Sequence, residues 1–246
     1  MNRILLEHDE IAADGVAEFG GVRAWHVANV LGGERGMPLK TGEVDGLVGT
    51  GEILEVRQDP DGGEYRVSVR VRHDEEPPKP WFDLVLAPPR PRVMKRLLPQ
   101  LAAMGVGRIV LVGAKKVEKD FWGATLLREE NWRPLFVEGL MQCGATAMPG
   151  LETRRNFCRF LAEELDGMFP DTDRAVAHPH TDGRAAYGGR DGRRLLLAIG
   201  PEGGWTDDEL ALMEERGFRR YSLGRRILRT DTATIAAIAK LNMEEQ

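Results

Sequence analysis

The sequence predicts an α/β protein in two parts: a small β-rich unit, then a mainly parallel sheet with helices on both faces. Three features carry that expectation. The first 73 residues read as short strands between Gly-rich or Asp-Gly turns. Asp74–Pro80 (DEEPPKP) is charged, proline-rich and aperiodic, as a linker is. Beyond it, short apolar runs alternate with stretches of helical spacing, the order of a parallel α/β sheet. The expected division is 1–73, linker 74–80 and 81–246.

Taken in order, Asn2–Leu6 is a strand and Ala24–Leu31 (AWHVANVL) has helical spacing. Strands follow near Met37–Lys40, Leu47–Arg57 and Glu64–His73, the last two separated by Asp59-Pro60-Asp61-Gly62-Gly63. Strands of this number and size suggest a small barrel. After the linker come a strand at Trp81–Ala87, an amphipathic helix at Pro91–Met104, a strand at Arg108–Val112 and a helix at Asn131–Cys143. A strand near Leu151–Arg154, a helix at Asn156–Met168, and strands at Arg174–Ala177 and Leu195–Ile199 continue the alternation. A strand at Phe218–Leu223 and a last helix at Thr230–Met243 complete it.

Composition narrows the class. At 246 residues the chain holds one large or two modest domains. It is 42% apolar with no run near eighteen residues, which excludes a membrane span of helical type. Asn2–Leu6 turns polar at Glu7, unlike a signal peptide, and the two cysteines (Cys143, Cys158) form neither a disulfide framework nor a metal cluster. A reducing cytoplasm is expected. The net charge of −5 hides a split: residues 1–75 hold 8 Lys/Arg against 15 Asp/Glu. Residues 90–119 hold eight basic residues and one acid, and residues 216–229 hold six arginines and no acid. Such patches suit phosphate contacts, although either alone is equally a solvated face. His178-Pro179-His180 lacks a further ligand at metal spacing and reads as an exposed loop. His26 reads as packing or capping, and the tryptophans as anchors, with Trp205 also placed to line a substrate mouth.

The densest signal is LLLAIGPEGGWTDDELALMEERGFRRYSLGRRILRTDT at 195–232. A buried apolar run meets the corner Gly200-Pro201-Glu202-Gly203-Gly204. Thr206-Asp207-Asp208-Glu209 then spells a capping box in which Thr206 caps a helix and Glu209 reaches back. The glycines thus lie between the carboxyl end of a core strand and a helix start, where open α/β sheets place ligands. A second loop, Leu223-Gly224-Arg225-Arg226-Ile227-Leu228-Arg229-Thr230, again joins a strand to a helix. Two such loops flanking one helix suggest one site built from both. No GxGxxG follows the first strand of this region and GxxxxGK[ST] is absent, which disfavours Rossmann-type and P-loop readings.

IGPEGG followed by LGRRILRTDTA resembles the signature of the RsmE family of SPOUT methyltransferases, which methylate N3 of a uridine in 16S rRNA of the small ribosomal subunit. The fit covers both loops over about 40 residues, and the layout fits the whole chain. Asp231 stands where that family usually has Glu. The resemblance implies an N-terminal PUA-like small β-barrel and a SPOUT α/β domain with a C-terminal trefoil knot threaded by Leu223–Arg229. It also implies S-adenosyl-L-methionine as cofactor, ribosomal RNA of the 30S subunit as partner, a homodimer, and neither metal nor membrane. The apolar Ile235, Ala236, Ile238 and Ala239 of the last helix add to the dimer expectation. The acidity of the first unit argues against its clamping RNA directly. The middle departs from the family: Ala87–Arg92 and Val112–Lys119 replace a Lys-containing loop and a Ser-Glu-Arg-Ser stretch, which bears on target identity and not on the cofactor.

The site for such a cofactor needs apolar walls, backbone groups for the adenine edges and close approach of the chain. Ile199, Gly200, Pro201, Gly203 and Gly204 from the first loop, and Leu223, Gly224, Ile227 and Leu228 from the second, are the cofactor-binding candidates. Methylating uracil N3 removes a weakly acidic imide proton from an edge hidden in base pairs, so the nucleotide must be unpaired or extruded. Arg229 is the candidate for stabilising the uracil anion or gripping its phosphate. A carboxylate takes the proton best where burial lifts its pKa. Glu202 and Asp231 are the two candidates. Each has a plainer role open to it: Glu202 pairing with an arginine of the second loop, Asp231 favouring the positive end of the last helix. Arg90, Arg92, Lys115, Lys116 and Arg226 are the RNA-binding candidates.

Overall fold

The computed structural model describes residues 2–60, 62–179 and 193–243. The described residues divide into two compact units, residues 2–79 with Val137–Met148, and residues 80–136 with 149–243.

The first unit holds β1 (Ile4–Leu6), β2 (Val16–Phe19), α1 (Gly21–Asn29), β3 (Pro38–Glu43), β4 (Val48–Gln58) and β5 (Tyr65–Glu75). The strands form one sheet in the order β1-β3-β4-β5-β2, with β1 and β3 parallel and the other pairs antiparallel. Alternate residues of these strands (Ile4, Leu6, Leu39, Ile53, Val67, Val69) meet Ala24 and Val27 of α1 in one apolar cluster. β2 escapes the sequence reading because four residues carry too short an alternation. β5 extends through Asp74 and Glu75, two residues of the expected linker. Val137–Met148 belongs to this unit for a polar reason: Arg3 donates from Nε to the Gly144 carbonyl (3.0 Å) and from Nη1 to those of Thr41 (2.7 Å) and Gly49 (3.0 Å).

The second unit carries β6 (Phe82–Leu86), α2 (Pro91–Ala103), β7 (Val106–Val112), α3 (Glu129–Cys143, whose last turns belong to the first unit), β8 (Gly150–Arg154), α4 (Phe157–Arg159), α5 (Leu165–Met168), β9 (Asp173–Ala177), β10 (Leu195–Ile199), α6 (Asp207–Glu215), β11 (Arg219–Tyr221) and α7 (Thr230–Met243). The six strands lie in the order β11-β9-β10-β6-β7-β8, and every pair is parallel. All five residues of both β6 and β10 are buried, as central strands covered on both faces must be. Val85, Val110, Val176, Leu196 and Ala198 face Phe157, Phe160, Leu161, Leu210 and Met213. The alternate residues face the side of α2 and α7, which neighbour each other and strands β7 and β10.

The expected helix 156–168 is not continuous. Asn156 caps it, its Oδ1 accepting from the Arg159 amide at 3.0 Å, and Phe160–Glu164 then winds as a π-turn between α4 and α5. The wider turn keeps Phe160, Leu161 and Leu165 together on the sheet. The expected strand 218–223 contracts to Arg219–Tyr221. In α7, Ile238 is buried within the protomer, Ile235 and Ala236 are half-buried, and Ala239 is exposed, so only part of that apolar face remains outward. Among the described residues no helix is long and apolar enough to cross a membrane, and no group of His, Cys, Asp and Glu is arranged to hold a metal.

Candidate functional site

The parallel sheet ends its strands at one edge, and the two loops read from the sequence meet there. At the first, the Glu209 side chain is 6% exposed and fully engaged. Its Oε2 accepts from the Thr206 amide (2.8 Å) and hydroxyl (3.1 Å), while Oε1 accepts from the Lys115 amide (2.7 Å). The capping box therefore does more than start α6; it also ties the loop after β7 to the glycine corner. Asp207 and Asp208 share the first turn, complementing the positive helix end.

The glycines have separate tasks. Gly204 (φ +69°) and Gly224 (φ +114°) hold left-handed backbone that a side chain strains. A Cβ at Gly200 would come within 3.0 Å of the Trp205 indole nitrogen, and one at Gly203 within 2.9 Å of Lys116 Cδ. The sequence reading had the glycines admitting a ligand. For Gly203, the approach the structure records is to the Lys116 stem, whose ammonium donates to the Gly203 carbonyl at 2.8 Å.

A cavity of about 300 Å³ lies between the two loops, at the carboxyl ends of β9, β10 and β11. All nine cofactor-binding candidates line it, together with Glu202, Arg226, Ala177, His178, Pro179, Trp205, Tyr221, Thr230 and Ala233. Ile199, Leu223, Ile227 and Leu228 supply apolar wall, and Ile227 is 84% exposed on its outer side. Trp205, 5% exposed, stacks on Phe157 with centroids 5.1 Å apart. Its buried indole N–H has no hydrogen-bond partner among the described residues, which leaves a donor beside the cavity. Thr230 reaches back from the second loop to the Gly200 carbonyl at 3.4 Å.

A second cavity, about 260 Å³, shares Pro201, Glu202 and Gly203 with the first. Its other walls are Pro88, Pro89, Arg90 and Pro91 after β6, and Lys116, Val117, Glu118, Asp120 and Phe121 after β7. Arg90 pairs with Glu118 at 3.2 Å, both largely exposed.

Other candidates lie outside these cavities. Arg229 and Asp231 line neither; Arg229 is exposed at the end of the second loop. Asp231 bonds the Thr232 amide through Oδ1 (2.9 Å) and sits 3.5 Å from Arg96, the pairing a helix-start acid makes. Glu202 is exposed on the wall between the cavities, without the burial its acid–base reading invoked. Arg92 and Lys115 are exposed beside the site and line neither cavity. His178, read as an exposed loop residue, is half-buried in the wall of the first cavity, its amide bonded to the Tyr221 carbonyl at 3.0 Å; His180 lies outside the described residues. Ala177, His178, Pro179 and Tyr221 went unread as site residues. The signal for them is the rule that parallel strands deliver ligands at their carboxyl ends, applied to β9 and β11 as well as β10.

The fold and site define a doubly covered parallel α/β domain with a two-loop ligand cavity and a cationic rim. The chain belongs to the RNA methyltransferase domain family, which matches residues 75–242, and within it to the RsmE group. It is 32% identical, over 97% of its length and 90% of the relative's, to Ribosomal RNA small subunit methyltransferase E of Treponema pallidum. A methyltransferase structure from Legionella pneumophila with bound cofactor SAM superposes with a TM-score of 0.75 at 25% identity, covering 99% of this chain and 97% of that one. For the Neisseria gonorrhoeae Ribosomal RNA small subunit methyltransferase E bound to S-adenosyl methionine, the TM-score is 0.73 at 21% identity, covering 99% and 98%; that likeness bears on the fold.

Proposed function

We propose that this protein transfers a methyl group from S-adenosylmethionine to N3 of a uridine in 16S rRNA of the small ribosomal subunit. The observation that carries the reading is the convergence of both signature loops on one cavity at the carboxyl ends of β9–β11. The residues there fit the cofactor: apolar walls from both loops, an orphan indole N–H at Trp205, and Glu202 on the side shared with the second cavity. When bound, S-adenosylmethionine supplies an electrophilic methyl carbon on a positively charged sulfur.

The chain's own groups do the rest. Leu223, Ile227, Leu228 and Ile199 would hold the adenine between apolar side chains, and main-chain groups at Leu223, Gly224 and Leu228 would meet its edges. Arg226, exposed in the same wall, holds an RNA phosphate at the cavity mouth. Arg229, exposed and unpaired by any described residue, holds the RNA phosphate or the uracil anion as the partner docks. Glu202 accepts the imide proton once the RNA covers it. The rim of Arg90, Arg92, Lys115 and Lys116 positions the RNA backbone.

In this reading the first unit is a PUA-like barrel, the Leu223–Arg229 segment threads a trefoil knot, and the protein works as a cytoplasmic homodimer. Its domains are 1–73 and 81–246, joined by the linker 74–80. Mass spectrometry of rRNA nucleosides from a deletion strain tests the reaction and target together. Loss of 3-methyluridine from 16S rRNA is expected; unchanged rRNA nucleosides would refute it. A second reading, the same chemistry on another RNA, is favoured by the divergent Ala87–Arg92 and Val112–Lys119 segments that form the second cavity.

A further inference from the structure

The second cavity stands apart from the cofactor loops in composition. Four of its walls are prolines (Pro88, Pro89, Pro91, Pro201), and Phe121 closes it with 3% exposure. Flat, rigid apolar faces of this kind suit a planar base, and the volume of about 260 Å³ suits one nucleobase with part of its sugar. The cavity's exposed lining carries Arg90, paired with Glu118 at 3.2 Å, together with Asp120 and Lys116, so the cationic rim reaches the cavity but its charge is partly offset there. It meets the cofactor cavity only along Pro201-Glu202-Gly203. A base lying in it therefore borders the methyl donor's cavity directly, along an edge that carries the Glu202 carboxylate. On the same boundary lies the Lys116 ammonium, whose one hydrogen bond among the described residues is to the Gly203 carbonyl.

We propose that this cavity seats the extruded target base, and that Lys116 is a catalytic residue that exchanges the Gly203 carbonyl for a carbonyl oxygen of the base. This rests on the methyltransferase reading above and deepens it. The chemistry supplies the reason. When the N3 proton passes to a carboxylate such as Glu202, its bonding pair stays on N3 and spreads onto O2 and O4. That pair then forms the N3–methyl bond, and the pair of the broken sulfur–carbon bond remains on sulfur. An ammonium beside O2 or O4 binds the anion more strongly than the neutral imide, which is the differential stabilisation that accelerates a step. Losing the Gly203 contact is a small cost, because the Lys116 side chain is exposed and its carbonyl partner returns to water.

The test uses the full-length protein and 30S subunits that lack the modification, with Lys116→Met and Lys116→Arg. Met keeps the stem over Gly203 and removes the charge. Expected for Met is a single-turnover rate at saturating RNA lowered about 10²-fold, cofactor affinity within about threefold, and partial rescue by Arg. Subunits containing 5-fluorouridine, whose N3–H is more acidic, are expected to shrink the Met defect by about tenfold or more, since less help is needed to hold the anion. A normal rate in Met with the salt slope reduced by about one would make Lys116 a phosphate contact and overturn the proposal. Lost cofactor binding in Met would make it a brace for the corner and overturn it too. So would a defect that 5-fluorouridine leaves unchanged. Failure of the underlying reading is distinguished because wild-type protein would then leave the subunits unmethylated.

Discussion

The two edges of the parallel sheet use the same residue types to opposite ends. Near the amino ends of the strands, charge is paired and partly buried: Arg194 grips Asp83 with two bonds of 2.7 Å, and Arg193 meets the buried Asp173 at 2.9 Å. Arg174 bonds Asp166 at 2.7 Å nearby. At the carboxyl ends, Arg92, Arg225, Arg226 and Arg229 are exposed and make no ion pair with a described residue. Lys116 spends its ammonium on a backbone carbonyl. Glycines are required at both edges: Gly107 is bare because a Cβ there would strike the Arg194 guanidinium, while at the carboxyl ends Gly200 and Gly203 lie against Trp205 and Lys116, and Gly204 and Gly224 take left-handed backbone with open space around them. Paired charge at one edge fixes the fold. The other edge carries exposed arginines that no described residue pairs, beside the exposed pairs Arg90–Glu118 and Arg96–Asp231.

That contrast is broken most severely by moving a defect from one edge to the other. Arg229→Ala is expected to lower the single-turnover rate about 10²-fold, with cofactor affinity and melting temperature near wild type; a normal rate would remove Arg229 from the reaction. Asp83→Ala is expected to do the reverse. It leaves the Arg194 guanidinium without its buried partner and costs about 2–3 kcal/mol, read as a fall of about 5–10 °C in Tm with cofactor affinity unchanged. Unaltered melting would show that the amino edge is not a stability device.

Asp83 also gives the contrast a pH signature. Burial pushes its carboxyl above the ordinary carboxylate value, against the opposing pull of Arg194 and Arg108. Between that ordinary value and the raised one, the native state holds more proton than the unfolded chain, so this group adds stability as pH falls through the window. Asp83→Asn, which removes the titration and leaves one oxygen to accept from Arg194, is expected to lose further stability relative to wild type as urea unfolding is moved from pH 7 to acid. A stability difference constant with pH, or moving the other way, would contradict this. The smallest effect belongs to the rim: neutralising Arg92 or Lys115 singly is expected to weaken RNA binding modestly and shrink the salt slope by about one. Slopes unchanged in filter-binding at several salt concentrations would place the RNA footprint elsewhere.

How much of this was legible in the sequence follows the range of the signals. The Gly-rich corner, the capping box of Thr206 and Glu209, and every residue of the two loops proposed for the cofactor line one cavity, because strand–turn–helix chemistry is local. The second Glu209 bond, to the Lys115 amide 94 residues earlier, has no local spelling. The same holds for the second cavity, whose walls come from three separate loops that only the sheet order β10-β6-β7 brings together. Lys116 looked like any rim lysine until its stem was found lying over Gly203. The π-turn at Phe160–Glu164 was hidden because the apolar pattern of 157–165 satisfies an ordinary helix nearly as well.

If the cavity between the two loops is the cofactor site and the opposite edge of the sheet serves only the fold, substitutions at the two edges separate in cofactor binding. Calorimetric titration of S-adenosylmethionine into wild type, Leu228→Asp and Asp83→Asn tests it most directly. Leu228 is 36% exposed, so its replacement leaves the core alone while putting a carboxylate into the apolar wall. The expected result is a wild-type Kd of about 1 μM, equivalent to about 8 kcal/mol, kept by Asp83→Asn and weakened at least tenfold by Leu228→Asp. No heat with wild type, or equal binding by Leu228→Asp, would contradict the account.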